Sequence, residues 1–311
     1  MNIPVFDLHC DTASALLGKN LRECGSLKTN QYHIDLDRAG KLAGYAQCFA
    51  CFTTDDPPQG KINPVELFER EMVSVLREVD KYSRQIRLAY NANDIENNKK
   101  DGIMSAVLTI EGPAGFGYDP ALLQDLYAVG FRMTTLSWNE KNPLVGSHLT
   151  GGGLTERGKA FVKEAQRLGM LIDVSHISDE GFWDICDMTQ APIVASHSNS
   201  RAVFSNSRNL TDDMFLEICK TGGVAGINMY AGFLGEKPDL DTVCDHIFHW
   251  LELDPDGKHI ALGCDLDGCD CLPEGFSGVQ DYPSLVTRLL ERGLPESAIR
   301  DIFWNNAIGV F

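Results

Sequence analysis

Short apolar runs alternate with amphipathic stretches along the whole chain. Val5, Phe6 and Leu8 open it as a strand buried on both faces, and Gly44 to Phe52 repeats the pattern before the turn-rich Asp55-Asp56-Pro57-Pro58. Val65, Phe68, Met72, Val75, Leu76 and Val79 then recur every three or four residues, which predicts a helix from Pro64 to Tyr82. Asn91 to Asp101 is polar and breaks the periodicity.

Further strand-like runs cover Ile103 to Ile110, Phe131 to Leu136, Met170 to His176, Pro192 to His197, Gly223 to Met229 and His259 to Asp265. Helices are expected between most of them: near Pro120 to Val129, from a Thr155 cap to Leu168, from a Ser178 cap to Met188, from a Thr211 cap to Lys220, and over Thr242 to Leu253. Pro283 to Arg292 and Pro295 to Val310 close the chain as two more. Eight strand-like runs in this alternation predict an α/β fold, a (β/α)8 TIM barrel of the metal-dependent hydrolase type, spanning residues 1–311 as one domain. A doubly wound open sheet fits less well, because polar residues follow many strands rather than gathering at one switch point.

The 311 residues carry 27 basic against 44 acidic side chains, a net charge of −17. That field repels phosphate backbones and anionic headgroups, so neither nucleic acid nor a membrane surface is an expected partner. No apolar run approaches the ~20 residues of a membrane span. The start, Met1-Asn2-Ile3-Pro4, lacks a basic leader, and a cytoplasmic location is the expectation. The 10 cysteines, Cys24 among them, read as free thiols of a reducing compartment.

Against this background five residues stand out just past strand ends: His9, Asp11, Glu111, His176 and His197. A lone histidine at such a place more often hydrogen-bonds to backbone. A barrel, however, brings all its strand C-termini to one rim, so these five converge on one volume. Nitrogen and oxygen donors without thiolate suit zinc or a similar first-row ion. Five are too many for one open catalytic ion but suit two, if Glu111 bridges them with one oxygen each. Such a pair clamps and activates a hydroxide. A proton-transferring group is then required, and Asp265, at the end of the last strand, is its candidate.

The stretches Asp7-Leu8-His9-Cys10-Asp11, Ile110-Glu111-Gly112, Ile172-Asp173-Val174-Ser175-His176, Ser196-His197-Ser198, Ser207-Arg208-Asn209-Leu210 and Gly263-Cys264-Asp265-Leu266-Asp267-Gly268 run from the first strand to the last. In these the chain resembles the membrane dipeptidase (renal dipeptidase) family, peptidase family M19, binuclear zinc peptidases among the amidohydrolase-like barrels. The resemblance implies His9, Asp11 and Glu111 on one zinc, with Glu111, His176 and His197 on the other. It implies Asp265 as the proton-transferring carboxylate, Arg208 as the clamp on the substrate's C-terminal carboxylate, and Asn209 beside it in the substrate site. Renal-type members carry a histidine after the fourth barrel strand, where this chain has Trp138; His148, later in that loop, is a candidate substitute.

The implied activity is hydrolysis of dipeptides, with a small-molecule substrate and a homodimer permitted. Trp138 leaves an alternative substrate open, an N-acyl amino acid or another small amide. A silent scaffold is disfavoured because all five ligand candidates, Asp265 and Arg208 are present. Gly151-Gly152-Gly153 reads as a flexible loop, since the phosphate-cradle pattern is missing. His246 and His249 read as a helix face. Cys264, Cys269 and Cys271 read as loop thiols, and Trp183, Trp250 and Trp304 as core or interface anchors.

Overall fold

A computed structural model describes residues 3–18, 25–57 and 62–311; Cys24 and Pro58 lie outside them. Nine parallel strands are present there: β1 (Val5–Cys10), β2 (Tyr45–Phe52), β3 (Ile86–Leu88), β4 (Met104–Glu111), β5 (Phe131–Thr135), β6 (Leu171–Asp173), β7 (Ile193–Ala195), β8 (Val224–Ile227) and β9 (Ile260–Leu262). They pair in the order β2-β1-β9-β8-β7-β6-β5-β4, and a β2–β4 ladder closes the ring, so eight strands form the barrel. The ninth, β3, fills the edge of β4 ahead of β5: Ile86 to Leu88 pair with Met104 to Ala106, whereas β5 pairs only from Leu108 onward.

Alternation along each strand divides the core in two. Phe6, Leu8, Ala46, Cys48, Val107, Met133, Val194, Val224 and Ala261 fill the barrel. Residues of opposite parity, such as Val5, Phe49, Leu108 and Ile172, pack outward against the helices. The chain's end plugs the barrel floor. Trp304 and Phe311 pack at a tilt against Phe6 with ring centroids 6.1 and 5.4 Å away. The terminal helix runs without a break from Glu296 to Ile308, but a π-turn at Asp301–Asn305 lies within it, and Trp304 in that turn sits under the barrel.

The expected helices are present with the expected stops. Asn63, Thr155, Ser178 and Thr211 each accept the backbone amide three residues on, and Gly169 and Gly222 end two helices in the left-handed region. Asn91 to Asp101, which breaks the apolar pattern, is nonetheless helical over Ala92–Lys100. Asn91 caps it, and only Ile95 and Asn98 are buried, too thin a stripe to register as a period. No described helix is long and apolar enough to cross a membrane.

Candidate metal centre

Two buried carboxylates first fix the strand ends. Asp7 accepts the backbone amides of His9 (3.0 Å) and Cys264 (3.0 Å) and the Tyr282 hydroxyl (2.6 Å), pinning β1 to β9. Asp173 accepts the amides of Ser175 and Ser196, both at 2.9 Å, and the Ser196 hydroxyl at 2.5 Å, pinning β6 to β7. These bonds hold the rim from which the ligating side chains project.

With Phe6 and Leu8 inside the barrel, strict alternation would turn His9 outward. The β1–β2 register shifts between Asp7 and Cys10, and this irregularity swings His9 into the mouth. Asp11 follows at the start of the helix Thr12–Leu17. The pair meets, His9 Nε2 to Asp11 Oδ2 at 3.4 Å, across this shifted strand end and the turn that follows it. His176 and Asp265 sit at φ 69° and 58°, a region non-glycine residues rarely occupy and one concentrated at functional sites.

The structure brings all six of these side chains together. Glu111 presents one oxygen to each side: Oε2 is 3.2 Å from His9 Nε2, and Oε1 is 2.9 Å from His176 Nε2 and 3.9 Å from His197 Nε2. The His9 and His197 rings stack at 3.8 Å, and Asp265 Oδ1 is 3.8 Å from His9 Nε2. The His9, Asp11 and Asp265 donors form one potential cation site; those of His9, Glu111 and His197 form another.

Proton positions follow from the outer partners. His176 Nδ1 lies 3.0 Å from Asn139 Oδ1, which can only accept, so the proton is on Nδ1. His197 Nδ1 lies 2.6 Å from Ser196 Oγ, whose single proton goes to Asp173; His197 Nδ1 is therefore also the donor. Both Nε2 atoms are left with lone pairs, yet they face each other at 2.9 Å. Two lone pairs at that separation repel unless a cation takes them. His9 Nε2 and Asp11 Oδ1 are likewise buried without a hydrogen-bond partner. The donor set fits metal.

Electrostatics agree. Burial, with help from Arg208, pulls His176 down to about 3, and burial holds His197 well below the usual imidazole value, so both rings are neutral ligands. Burial and the charge of Glu111 push Asp11 up to about 8. Burial opposes ionisation of Glu111 too, but His9 and His176 outweigh it and hold the carboxyl low. Carboxylates crowded in this way need positive charge.

Arg208 is 3% exposed. Its Nη1 donates to Ser198 Oγ at 2.6 Å, while Nε and Nη2, one edge of the guanidinium, have no partner. Burial lowers it to about 10, and it stays charged. Asn209 Nδ2 donates to the carbonyls of Phe204 and Phe233, both at 2.9 Å, bracing the loop that carries Arg208, while its Oδ1 is buried without a partner. Trp138 packs edge-on to Phe52 at 5.0 Å and lines a cavity of about 260 Å³ with Asp11, Glu111, His176 and Asp265. His148 Nε2 donates to the same Asn139 oxygen at 3.0 Å, and its Nδ1 faces Ser207 Oγ at 2.9 Å, next to Arg208.

The sequence assigned no role to Asn139, to Ser196 and Ser198 although they flank His197 in a matching stretch, or to Asn228, whose amide donates to Asp265 Oδ2 at 3.1 Å. His246 is buried and His249 pairs with Asp212 at 2.8 Å, as expected of a helix face; Trp250 and Trp304 are core, but Trp183 is 40% exposed.

The chain as a whole is similar to known proteins. A profile described as membrane dipeptidase (peptidase family M19) matches residues 1–311. An uncharacterized dipeptidase of Schizosaccharomyces pombe is 35% identical over 67% of this chain, which spans about half (53%) of that relative's length. An uncharacterized protein encoded 5′ of pqqA in Klebsiella pneumoniae is 32% identical over 80% of this chain and 96% of its own. A metallopeptidase from Rhodobacter sphaeroides, crystallised with a phosphinate mimic of L-Ala-D-Ala, is 27% identical with a TM-score of 0.89, covering 100% of this chain and 99% of its own.

Proposed function

As the chain belongs to the membrane dipeptidase family, peptidase family M19, we propose that it hydrolyses dipeptides with two zinc ions bridged by Glu111. The observation that carries metal dependence is the 2.9 Å approach of two unprotonated nitrogens, His176 Nε2 and His197 Nε2. Bound zinc supplies Lewis acidity, polarising the scissile carbonyl and lowering the pKa of water.

The chain's own groups do the rest. His9 and Asp11 would hold one ion and His176 and His197 the other, with Glu111 shared between them. Asn139 and Ser196 keep the two histidine protons on the far nitrogens. Asn228 anchors Asp265 Oδ2 and leaves Oδ1 to take the proton of the attacking water and deliver it to the departing amine. The open Nε–Nη2 edge of Arg208 accepts the C-terminal carboxylate in a bidentate pair, which is how an acidic protein captures a small anion.

Trp138 in the cavity wall supports a second reading, in which the substrate is an N-acyl amino acid or another small amide. The test is metal content per chain combined with hydrolysis of L-L dipeptides, L-D dipeptides and N-acyl amino acids, before and after chelation and zinc readdition. Two metals with zinc-dependent dipeptide cleavage is the expected result. Two metals with cleavage of acyl amino acids alone selects the second reading, and failure to bind metal overturns both.

A further inference from the structure

A second group of metal-type donors lies away from the mouth. One ligating atom from each of Cys219, Asp254 and His259 falls within 4.8 Å of the other two, and each residue is half-buried. They come from three elements. Cys219 is in the last turn of the helix Asp212–Thr221, Asp254 ends the helix Leu240–Leu253, and His259 immediately precedes β9. The group therefore sits where strands enter the barrel, at the opposite end from Glu111 and Asp265.

The donors are oriented as a ligand set. His259 Nδ1 lies 2.8 Å from the Gly223 carbonyl, which can only accept; the ring proton is on Nδ1, and Nε2 keeps its lone pair. A carbonyl on the distal nitrogen is the usual outer partner of a metal-bound histidine. Asp254 Oδ2 accepts the His259 backbone amide at 3.0 Å, so the carboxylate is fixed beside the ring. Cys219 also lines a surface groove with Trp183, Glu217 and Lys220, which gives an ion a route from solvent.

We propose that Cys219, Asp254 and His259 form a separate site for a borderline divalent cation of the zinc class. Sulfur, nitrogen and oxygen donors with water as a fourth ligand match zinc's tetrahedral preference. On binding, the Cys219 S–H bond breaks, the sulfur lone pair goes to the metal and the proton leaves to solvent. The ion would tie two helices to the start of β9.

Cobalt(II) separates this site from the mouth, because the ligands there are nitrogen and oxygen only and give no thiolate-to-cobalt charge-transfer band. Chelator-stripped protein titrated with cobalt should develop that near-ultraviolet band. C219S should lose the band and one equivalent of bound metal with dipeptide turnover unchanged, and H259Q should weaken the band's titration at least tenfold. No band at saturating cobalt, or a band that persists in C219S, overturns the site. Should C219S fail to fold, zinc must slow alkylation of Cys219 in the wild-type chain, read by mass spectrometry; equal rates with and without zinc also overturn it.

Discussion

Asn139 Oδ1 lies 3.0 Å from His176 Nδ1 and fixes that ring with its lone pair toward Glu111. The same oxygen takes the His148 Nε2 proton, so one amide ties the mouth to the loop ahead of Arg208. Loss of an outer partner of a metal-bound histidine typically costs ~10–100-fold in affinity. Asn139→Ala should therefore weaken zinc by that factor in a chelator competition, while Asn139→Asp, which keeps an acceptor, should bind within a fewfold of wild type. Equal affinity for Asn139→Ala would remove Asn139 from the centre.

Arg208 offers two unpartnered nitrogens, Nε and Nη2, from a buried position. Hydrogen bonds to charged partners contribute ~1.5–3 kcal/mol each. Arg208→Ala should raise KM for dipeptides ~100-fold, with a smaller change in kcat. A dipeptide C-terminal amide gives an internal control: wild type should discriminate against it strongly and Arg208→Ala hardly at all. Discrimination that survives the substitution would assign the carboxylate to another group.

How far the sequence reveals this site depends on what each residue's position depends on. His9, Glu111, His176, His197 and Asp265 end apolar runs, and barrel closure alone converges such positions, so they are legible. Asn139, Ser196 and Asn228 act through hydrogen bonds between neighbouring loops, for which the sequence has no period. Asn209 stands next to Arg208 in one motif yet turns its amide to Phe204 and Phe233, a difference of orientation that adjacency cannot reveal. The eight barrel strands are long or apolar enough to be seen. Three-residue β3, with one fully buried side chain, is not.

His246 gives a pH-dependent stability with a definite sign. Its Nδ1 accepts the Ser200 amide at 3.1 Å and its Nε2 donates to the Leu234 carbonyl at 3.1 Å, so the buried ring is neutral. Burial lowers its pKa from 6.5, and the bond to Leu234 and the charge of Asp245 only partly oppose this. The folded value lies below the unfolded one. The contribution is therefore whole above about 6.5 and is lost as pH falls toward the folded value. Between pH 7 and 5 the melting temperature of wild type should fall further than that of His246→Gln. Parallel curves would show that His246 does not drive the loss.

Gly268 presses its backbone against the mouth. A Cβ built there would lie 2.2 Å from Asp11 Oδ2 and 2.5 Å from Asp265 Oδ1, closer than real Cβ contacts come. The residue itself is exposed, and its φ is not in the left-handed region, so Gly268→Ala strains no backbone and disturbs no core. The clash falls instead on a proposed ligand and the proposed proton carrier, whose placement must hold to a fraction of an ångström for productive transfer. Expected is a melting temperature close to wild type with kcat/KM for dipeptides lowered at least ~100-fold, and a weaker metal site by chelator competition. Because Asp11 and Asp265 would have to move apart to admit one methyl group, a fully active Gly268→Ala enzyme would mean that their spacing does not set the rate.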